Sequence, residues 1–198
     1  MLWKDGAQYV DGLETGAQYI AGEELFDYAS PMKNSPGPLF TVKIPETDAV
    51  SEIKRAIVLE TVQDPGNVGT VIRTANAFGM DAVILTGDCA DIYNPKTVRA
   101  TMGAIFRQRV ITCTLDGLRA LLEKNRLPLY GAALSDRARD IRGVELKNAA
   151  AAIGSEGHGL SRALLDMCES ELIIPMQPGS ESLNAGIAAA VVMWEMSR

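Results

Sequence analysis

The chain has 198 residues, 47% of them apolar, and a formal net charge of −6. That length fits one large domain or two small ones, and that apolar share excludes global disorder. No apolar run is long and charge-free enough to cross a bilayer, and Met1-Leu2-Trp3-Lys4-Asp5-Gly6 lacks the basic-then-apolar pattern of a secretory leader, so the expected compartment is the cytoplasm.

In chain order, a short repeat comes first: Gly6-Ala7-Gln8-Tyr9-Val10 and Gly16-Ala17-Gln18-Tyr19-Ile20. Two copies are too few for a repeat architecture, so the match is a coincidence or marks two similar short strands. Glu23 to Tyr28 predicts a short helix. Pro31, Pro36, Pro38 and Pro45 then crowd one stretch, which predicts a turn and an extended connection, with Leu39 to Ile44 alternating like a strand inside it. A domain boundary is expected near residues 45–53, dividing the chain into 1–50 and 51–198. Ala56 to Leu59 reads as a strand. A helix over Val68 to Phe78 follows, ended by Gly79 in a C-cap position. Ala82 to Leu85 and Val110 to Thr112 are strands, and Leu115 to Lys124 is a helix with apolar residues at helical spacing. Leu129 to Ala133, Ala150 to Ile153 and Glu171 to Ile174 are further strands, with a helix over Ser161 to Cys168 between the last two. Asn184 to Ser197 predicts a largely buried terminal helix. Short apolar strands alternating with helices predict an α/β fold, a parallel sheet with helices on both faces. Ligands of such sheets sit beyond the carboxyl ends of strands, where Asn67, Glu156 and Ser182 fall.

Cys89, Cys113 and Cys168 are far apart and form no CxxC pair, so neither a disulfide framework nor a thiolate zinc site is supported. They read as small apolar residues in a reducing compartment. His158 is the sole histidine, which argues against a histidine-based metal site. The charge is uneven. Residues 1–50 hold 3 Lys and Arg against 8 Asp and Glu, and residues 51–198 hold 16 against 17. Basic residues bunch at Lys96, Arg99, Arg107 and Arg109, and again at Arg137, Arg139 and Arg142. A solvated face explains such bunches on its own, so charge neither supports nor excludes RNA as a partner.

The most informative segments are distant in sequence. Asp64-Pro65-Gly66-Asn67-Val68-Gly69 runs into Val71-Ile72-Arg73-Thr74-Ala75. Gly154-Ser155-Glu156-Gly157-His158-Gly159 is followed by Ile174-Pro175-Met176 and Ser182-Leu183-Asn184. The first two place a glycine-rich turn between an apolar run and a helical pattern, where a missing Cβ lets backbone groups approach a ligand. The order DPGNVGTVIRTA, GSEGHGL, IPM and SLN resembles the SpoU (TrmH-like) family of RNA ribose 2′-O-methyltransferases, of the knotted SPOUT class. The resemblance covers residues 54–198, and the stretch VQDPGNVGTVIRTANAFGMDAVIL is most similar to a bacterial subgroup acting on 23S ribosomal RNA. It implies a trefoil-knotted, S-adenosylmethionine-dependent enzyme without metal, and a homodimer with its site near the subunit interface. ELFDYAS and GPLFTVKIP look like the end of the α+β substrate-binding domain that such proteins carry, here shortened.

The resemblance also implies roles. Arg73 matches the arginine often proposed to activate the 2′-hydroxyl. A guanidinium stays protonated, however, so clamping a phosphate or the ribose is the better physical role; an ordinary helix-surface ion pair is the bland alternative. Asn67 matches a residue that orients Arg73 or the nucleotide, and could equally be an N-cap. Glu156 matches a glutamate that could hold Asn67 or Arg73 or sense the sulfonium, or it is a first-turn acid favoured by a helix dipole. Ser182 and Asn184 match positions contacting cofactor or substrate, or they cap a helix. Gly154, Ile174 and Leu183 match cofactor-binding positions and Leu134 is placed to meet the adenine; for all four, loop and core packing is the alternative. Gly186 stands where relatives more often carry serine. Thr101, within Arg99-Ala100-Thr101-Met102-Gly103, stands where serine is common. Arg99, Arg107 and Arg109 are candidates for phosphate contacts. A tRNA methyltransferase and a noncatalytic RNA-binding homologue compete with the 23S reading. A Rossmann oxidoreductase lacks its GxGxxG, and a serine hydrolase lacks its GxSxG elbow.

Overall fold

A computed structural model describes residues 1–7, 16–44, 52–177, 179 and 182–198. The chain forms two compact units, Met1–Asp48 and Ala49–Arg198. In the first, β1 (Leu2–Lys4) pairs in parallel with β2 (Tyr19–Ala21), and α1 (Glu23–Ala29) follows. Among its described residues Trp3 and Phe26 are the buried large side chains, and the Trp3 indole donates to Gln18 Oε1 at 2.8 Å. The second copy of the short repeat thus contributes a strand, while most of the first lies outside the described residues. The expected strand over Leu39 to Ile44 does not form. Leu39 alone bridges Leu2, and residues 40–44 find no ladder partner among the described residues. Alternation makes a segment able to pair but does not supply a neighbouring strand.

The second unit is an α/β layer structure. Its elements are β3 (Arg55–Glu60), α2 (Pro65–Ala77), β4 (Ala82–Thr86), α3 (Pro95–Ala100), β5 (Val110–Thr112), α4 (Leu115–Asn125), β6 (Leu129–Ala132), β7 (Arg139–Asp140), β8 (Ala149–Ile153), α5 (Arg162–Leu165), β9 (Ser170–Ile173) and α6 (Ala185–Met196). The strands order as β5-β4-β3-β8-β6-β9-β7, and every pairing is parallel. Alternation along β3 sends Ile57 and Leu59 to one face and Ala56 and Val58 to the other. The first face is covered by α2 and α6, through Val68, Val71, Ile72, Ala189, Val192 and Met193. The second is covered by α4 and α5, through Leu118, Leu122 and Leu164. Four consecutive alanines in β8, all buried, let helices come close on both sides.

Several boundaries differ from expectation for local reasons. Helix α2 starts at Pro65 rather than Val68, because the Asp64 side chain accepts from Asn67 N and proline suits the first helical position. Helix α5 is one turn, from its Ser161 cap to Leu165, rather than extending to Cys168. Strand β7 and helix α3 were not legible: the first is two polar residues, and the second lies in a polar, proline-interrupted run.

Candidate functional site

Three loops meet beyond the carboxyl ends of β3, β8 and β9. Asn67 stands in the first turn of α2. Glu156 stands in the Ser155–Gly159 turn, closed by a hydrogen bond from Gly159 N to Ser155 O at 2.9 Å. Asn184 caps α6, its Oδ1 accepting from Gly186 N and Ile187 N at 3.0 and 3.3 Å. These three side chains form one network. Glu156 Oε1 accepts from Asn67 Nδ2 at 2.9 Å, from Asn184 Nδ2 at 2.7 Å and from Ala185 N at 3.3 Å. Asn67 Oδ1 accepts a further bond from Asn184 Nδ2 at 3.0 Å. Residues 67, 156 and 184 are therefore held to one another.

The geometry decides between the alternatives raised by the sequence. Asn67 is not an N-cap: Asp64 caps α2, and Asn67 donates to it through its own backbone. Glu156 belongs to no helix; it meets the N-terminus of α6, where it accepts from the Ala185 N–H. Asn184 caps and joins the network at once. Arg73 is not oriented by Asn67 or Glu156. It is exposed on α2, and among the described residues no hydrogen bond or ion pair engages its guanidinium. Gly186, at the position where relatives more often carry serine, lies beneath the network: a Cβ there would sit 3.3 Å from Asn184 Oδ1 and 3.4 Å from Asn67 Oδ1.

Beside the network is a cleft of about 530 Å³. Leu134, Gly154, Ile174, Leu183 and Ser182 all line it, as does Glu156, which belongs to both cleft and network. Sequence reading missed Leu160, Leu165 and Met176, apolar wall residues that pattern alone does not separate from core, and His158, which lines the rim. Gly154 is required by contact: a Cβ would run into the backbone of Gly159 and Leu160. The cleft is of a size that takes a drug-sized ligand, and its apolar wall with a carboxylate at one side suits a nucleoside carrying positive charge. The thiols take no part. Burial pushes Cys168 up to about 12 and raises Cys89 and Cys113 as well, keeping all three protonated. Among the described residues no group of His, Cys, Asp and Glu could hold a metal ion.

Of the basic candidates, Arg99 on α3 and Arg107 are exposed, while Arg109 is half-buried at the start of β5 and engaged within the fold. Thr101 is buried, and its hydroxyl donates to Val98 O at 2.7 Å, a local helix-end role. No helix among the described residues is long and apolar enough to cross a membrane.

Comparison with known proteins adds the lineage. The SpoU rRNA Methylase family matches residues 54–194. A curated relative, the 23S rRNA (guanosine(2553)-2′-O)-methyltransferase RlmP of Bacillus subtilis (strain 168), is 32% identical over 99% of this chain and 79% of its own. Several other curated relatives match over about three fifths of their own length. Among solved structures, the SpoU methyltransferase AviRb of Streptomyces viridochromogenes superposes with a TM-score of 0.86 at 25% identity, covering 99% of this chain and 79% of that one. An AdoMet-bound rRNA methyltransferase of Sinorhizobium meliloti gives 0.79 at 26% identity, covering 91% and 72%.

Proposed function

Because this chain belongs to the SpoU rRNA methylase family, we propose that it is an S-adenosylmethionine-dependent RNA methyltransferase acting on a ribose 2′-hydroxyl, with 23S ribosomal RNA as substrate. The observation that carries the reading is the Asn67–Glu156–Asn184 network sharing Glu156 with the cleft. The relative that matches nearly the whole chain is named for that reaction.

The cofactor, when bound, supplies an electrophilic methyl group on a sulfonium. Leu134, Ile174 and Leu183 would give it apolar contact, and Gly154 would let backbone groups approach it. Glu156 spends Oε1 on three hydrogen bonds, while among the described residues Oε2 accepts none. That second oxygen is available to a positive charge or to a hydroxyl. Ser182 lines the cleft with an exposed hydroxyl. Arg73 offers its fork of donors to an RNA phosphate or to the reacting ribose. Since it cannot accept a proton, the 2′-hydroxyl proton leaves to a phosphate or to water. Methyl transfer is an in-line displacement, so placement contributes most of the rate, and the fixed network provides it.

Finer features belong to the same proposal. Ile187 and Trp194 are 55% and 54% exposed on α6, a helix whose other face is buried core, and this supports a homodimer through that helix. The likeness in fold to SpoU methyltransferases supports a trefoil knot in the second unit. The first unit serves as an RNA-recognition module, and the protein works in the cytoplasm on ribosomal RNA.

The test is transfer of label from tritiated S-adenosylmethionine into unmodified 23S ribosomal RNA and, separately, bulk transfer RNA. Alkali-resistant incorporation at one ribose of 23S RNA is expected. Incorporation into transfer RNA alone would move the substrate class, and absence of both incorporation and cofactor binding would refute the enzyme.

A further inference from the structure

Glu60 is a buried carboxylate that neither the sequence motifs nor the cleft accounts for. It closes β3, opposite Thr86 of β4, and is 6% exposed. A carboxylate in that setting is costly unless its oxygens are hydrogen-bonded. Both find donors on one residue 101 positions later: Ser161 N donates to Oε2 and Ser161 Oγ to Oε1, each at 2.6 Å. The same Ser161 hydroxyl accepts from Leu164 N at 3.2 Å and so caps α5.

The clamp joins two loops that are also joined at their tips. From Glu60 the chain reaches the Asp64 cap and Asn67 within two helical turns' length of sequence, and Asn67 donates to Glu156. From Ser161 it runs back through Leu160 and the closed Ser155–Gly159 turn to Glu156. That turn is rigid at its base, since Gly154 packs directly on the backbone of Gly159 and Leu160. Leu160 is 8% exposed and lines the cleft. A displacement of Ser161 therefore passes to the cleft wall at Leu160 and to the carboxylate at Glu156 without slack to absorb it.

We propose that Glu60 is a positioning residue: through Ser161 it sets the Gly154–Leu160 wall of the cleft, and with it the place where Glu156 meets Asn67 and Asn184. Glu60 itself does not line the cleft. The inference rests on the function proposed above.

The test compares the full chain with Glu60→Gln, Ser161→Ala, their double variant and Thr114→Ala. Glutamine keeps the volume but leaves one oxygen to accept where the carboxylate had two, so the short bond from the Ser161 hydroxyl is lost or must reverse, with the charge gone in either case. Thr114→Ala removes a cap of the same kind, from α4, where the Thr114 hydroxyl accepts from Gly117 N. S-adenosylmethionine affinity is read by calorimetry, and kcat and the KM for RNA by methyl transfer. Glu60→Gln and Ser161→Ala should each weaken cofactor affinity about tenfold and lower kcat, with the KM for RNA near wild type. The double variant should be no worse than the worse single one, because one clamp is broken twice. Thr114→Ala should match wild type in all three quantities. A folded Glu60→Gln protein with wild-type affinity and kcat overturns the proposal, and so does a KM for RNA that rises in every variant. If Glu60→Gln does not fold, Ser161→Ala, at an exposed residue, carries the same expectation and the same refutation. A wild-type chain that binds no S-adenosylmethionine refutes the proposed function and this inference together; a binding wild type with equally binding variants refutes this inference alone.

Discussion

Arg73 stands exposed on α2 with no partner for its guanidinium among the described residues, six positions along the same helix from Asn67, whose side chain is held by Glu156 and Asn184. This separation predicts a separable phenotype. Arg73→Ala should abolish methyl transfer while leaving S-adenosylmethionine affinity within about twofold of wild type, because the residue touches neither the cleft nor the network. Calorimetry beside a transfer assay checks it, and lost cofactor binding would place Arg73 in the cleft instead. Asp64 makes a second case. Its carboxylate is held below the ordinary range by the Asn67 N–H first and then by Lys96, whose Nζ lies 3.0 Å away. The ion pair is exposed and adds little, so the cap dominates, and Asp64→Ala should cost about 1 kcal/mol. The folded value is depressed, so this contribution is full above the ordinary carboxylate range and is lost as pH falls through the depressed value. Chemical denaturation of both proteins at several pH values should show the gap closing in acid; a constant gap would mean that the carboxylate charge is not what caps α2.

At the scale of elements, close approach at small residues decides the packing. Gly69 of α2 lies against α3, where an added Cβ would sit 2.6 Å from Thr97 O and 2.5 Å from Ala100 Cβ. Gly69→Ala gains up to about 1 kcal/mol in helix propensity but forces two backbones apart, which typically costs about 1–3 kcal/mol. A carbonyl cannot rotate away as a side chain tip can, so the clash should win and stability should fall. Equal or higher stability in denaturant would show that α3 yields freely. The same physics explains what could be read beforehand. Apart from β7, the strands of the second unit were legible because buried parallel strands are written as short apolar runs, α4 because its apolar residues recur at helical spacing, and α6 because its apolar residues run nearly unbroken over a length too great for a strand. The start of α2 was misplaced because Pro65 and Gly66 look like a turn until the Asp64 cap is weighed. The strand at Leu39 to Ile44 was wrongly expected because alternation does not supply a partner. Helix α3 was missed because six residues with Val98 and Ala100 as their apolar side chains show no periodicity, and strand β7 because it is two charged residues. In the candidate site, Asn67, Glu156 and Asn184 were named in advance from motif order, yet that they hold one another and leave Arg73 outside is set by three loops whose geometry no spacing encodes. Glu60 went unnamed although its sequence carries a signal: a charge directly after the apolar run Ala56 to Leu59, at a buried strand end, needs a partner.

For the whole molecule, the net charge of −6 argues against RNA only while it is treated as uniform. The acidic excess falls in residues 1–50, and residues 51–198 are near neutral with cations concentrated at a few positions. Binding to a polyanion depends on where cations can reach phosphates, since each contact releases counterions irrespective of charge elsewhere. Of the predicted contacts, Arg99 and Arg107 present exposed side chains, whereas Arg109 is half-buried and already engaged within the fold. The three should therefore behave differently. Replacing Arg99 and Arg107 together by alanine should weaken RNA binding and reduce the slope of log affinity against log salt by about 1.4, at roughly 0.7 per lost contact with single-stranded RNA. Arg109→Ala should change the slope little and act through stability instead. Filter binding across a salt series separates these outcomes: an unchanged slope in the double variant would take both arginines off the RNA face, and a slope change in Arg109→Ala would mean that its internal engagement gives way to a phosphate when RNA arrives.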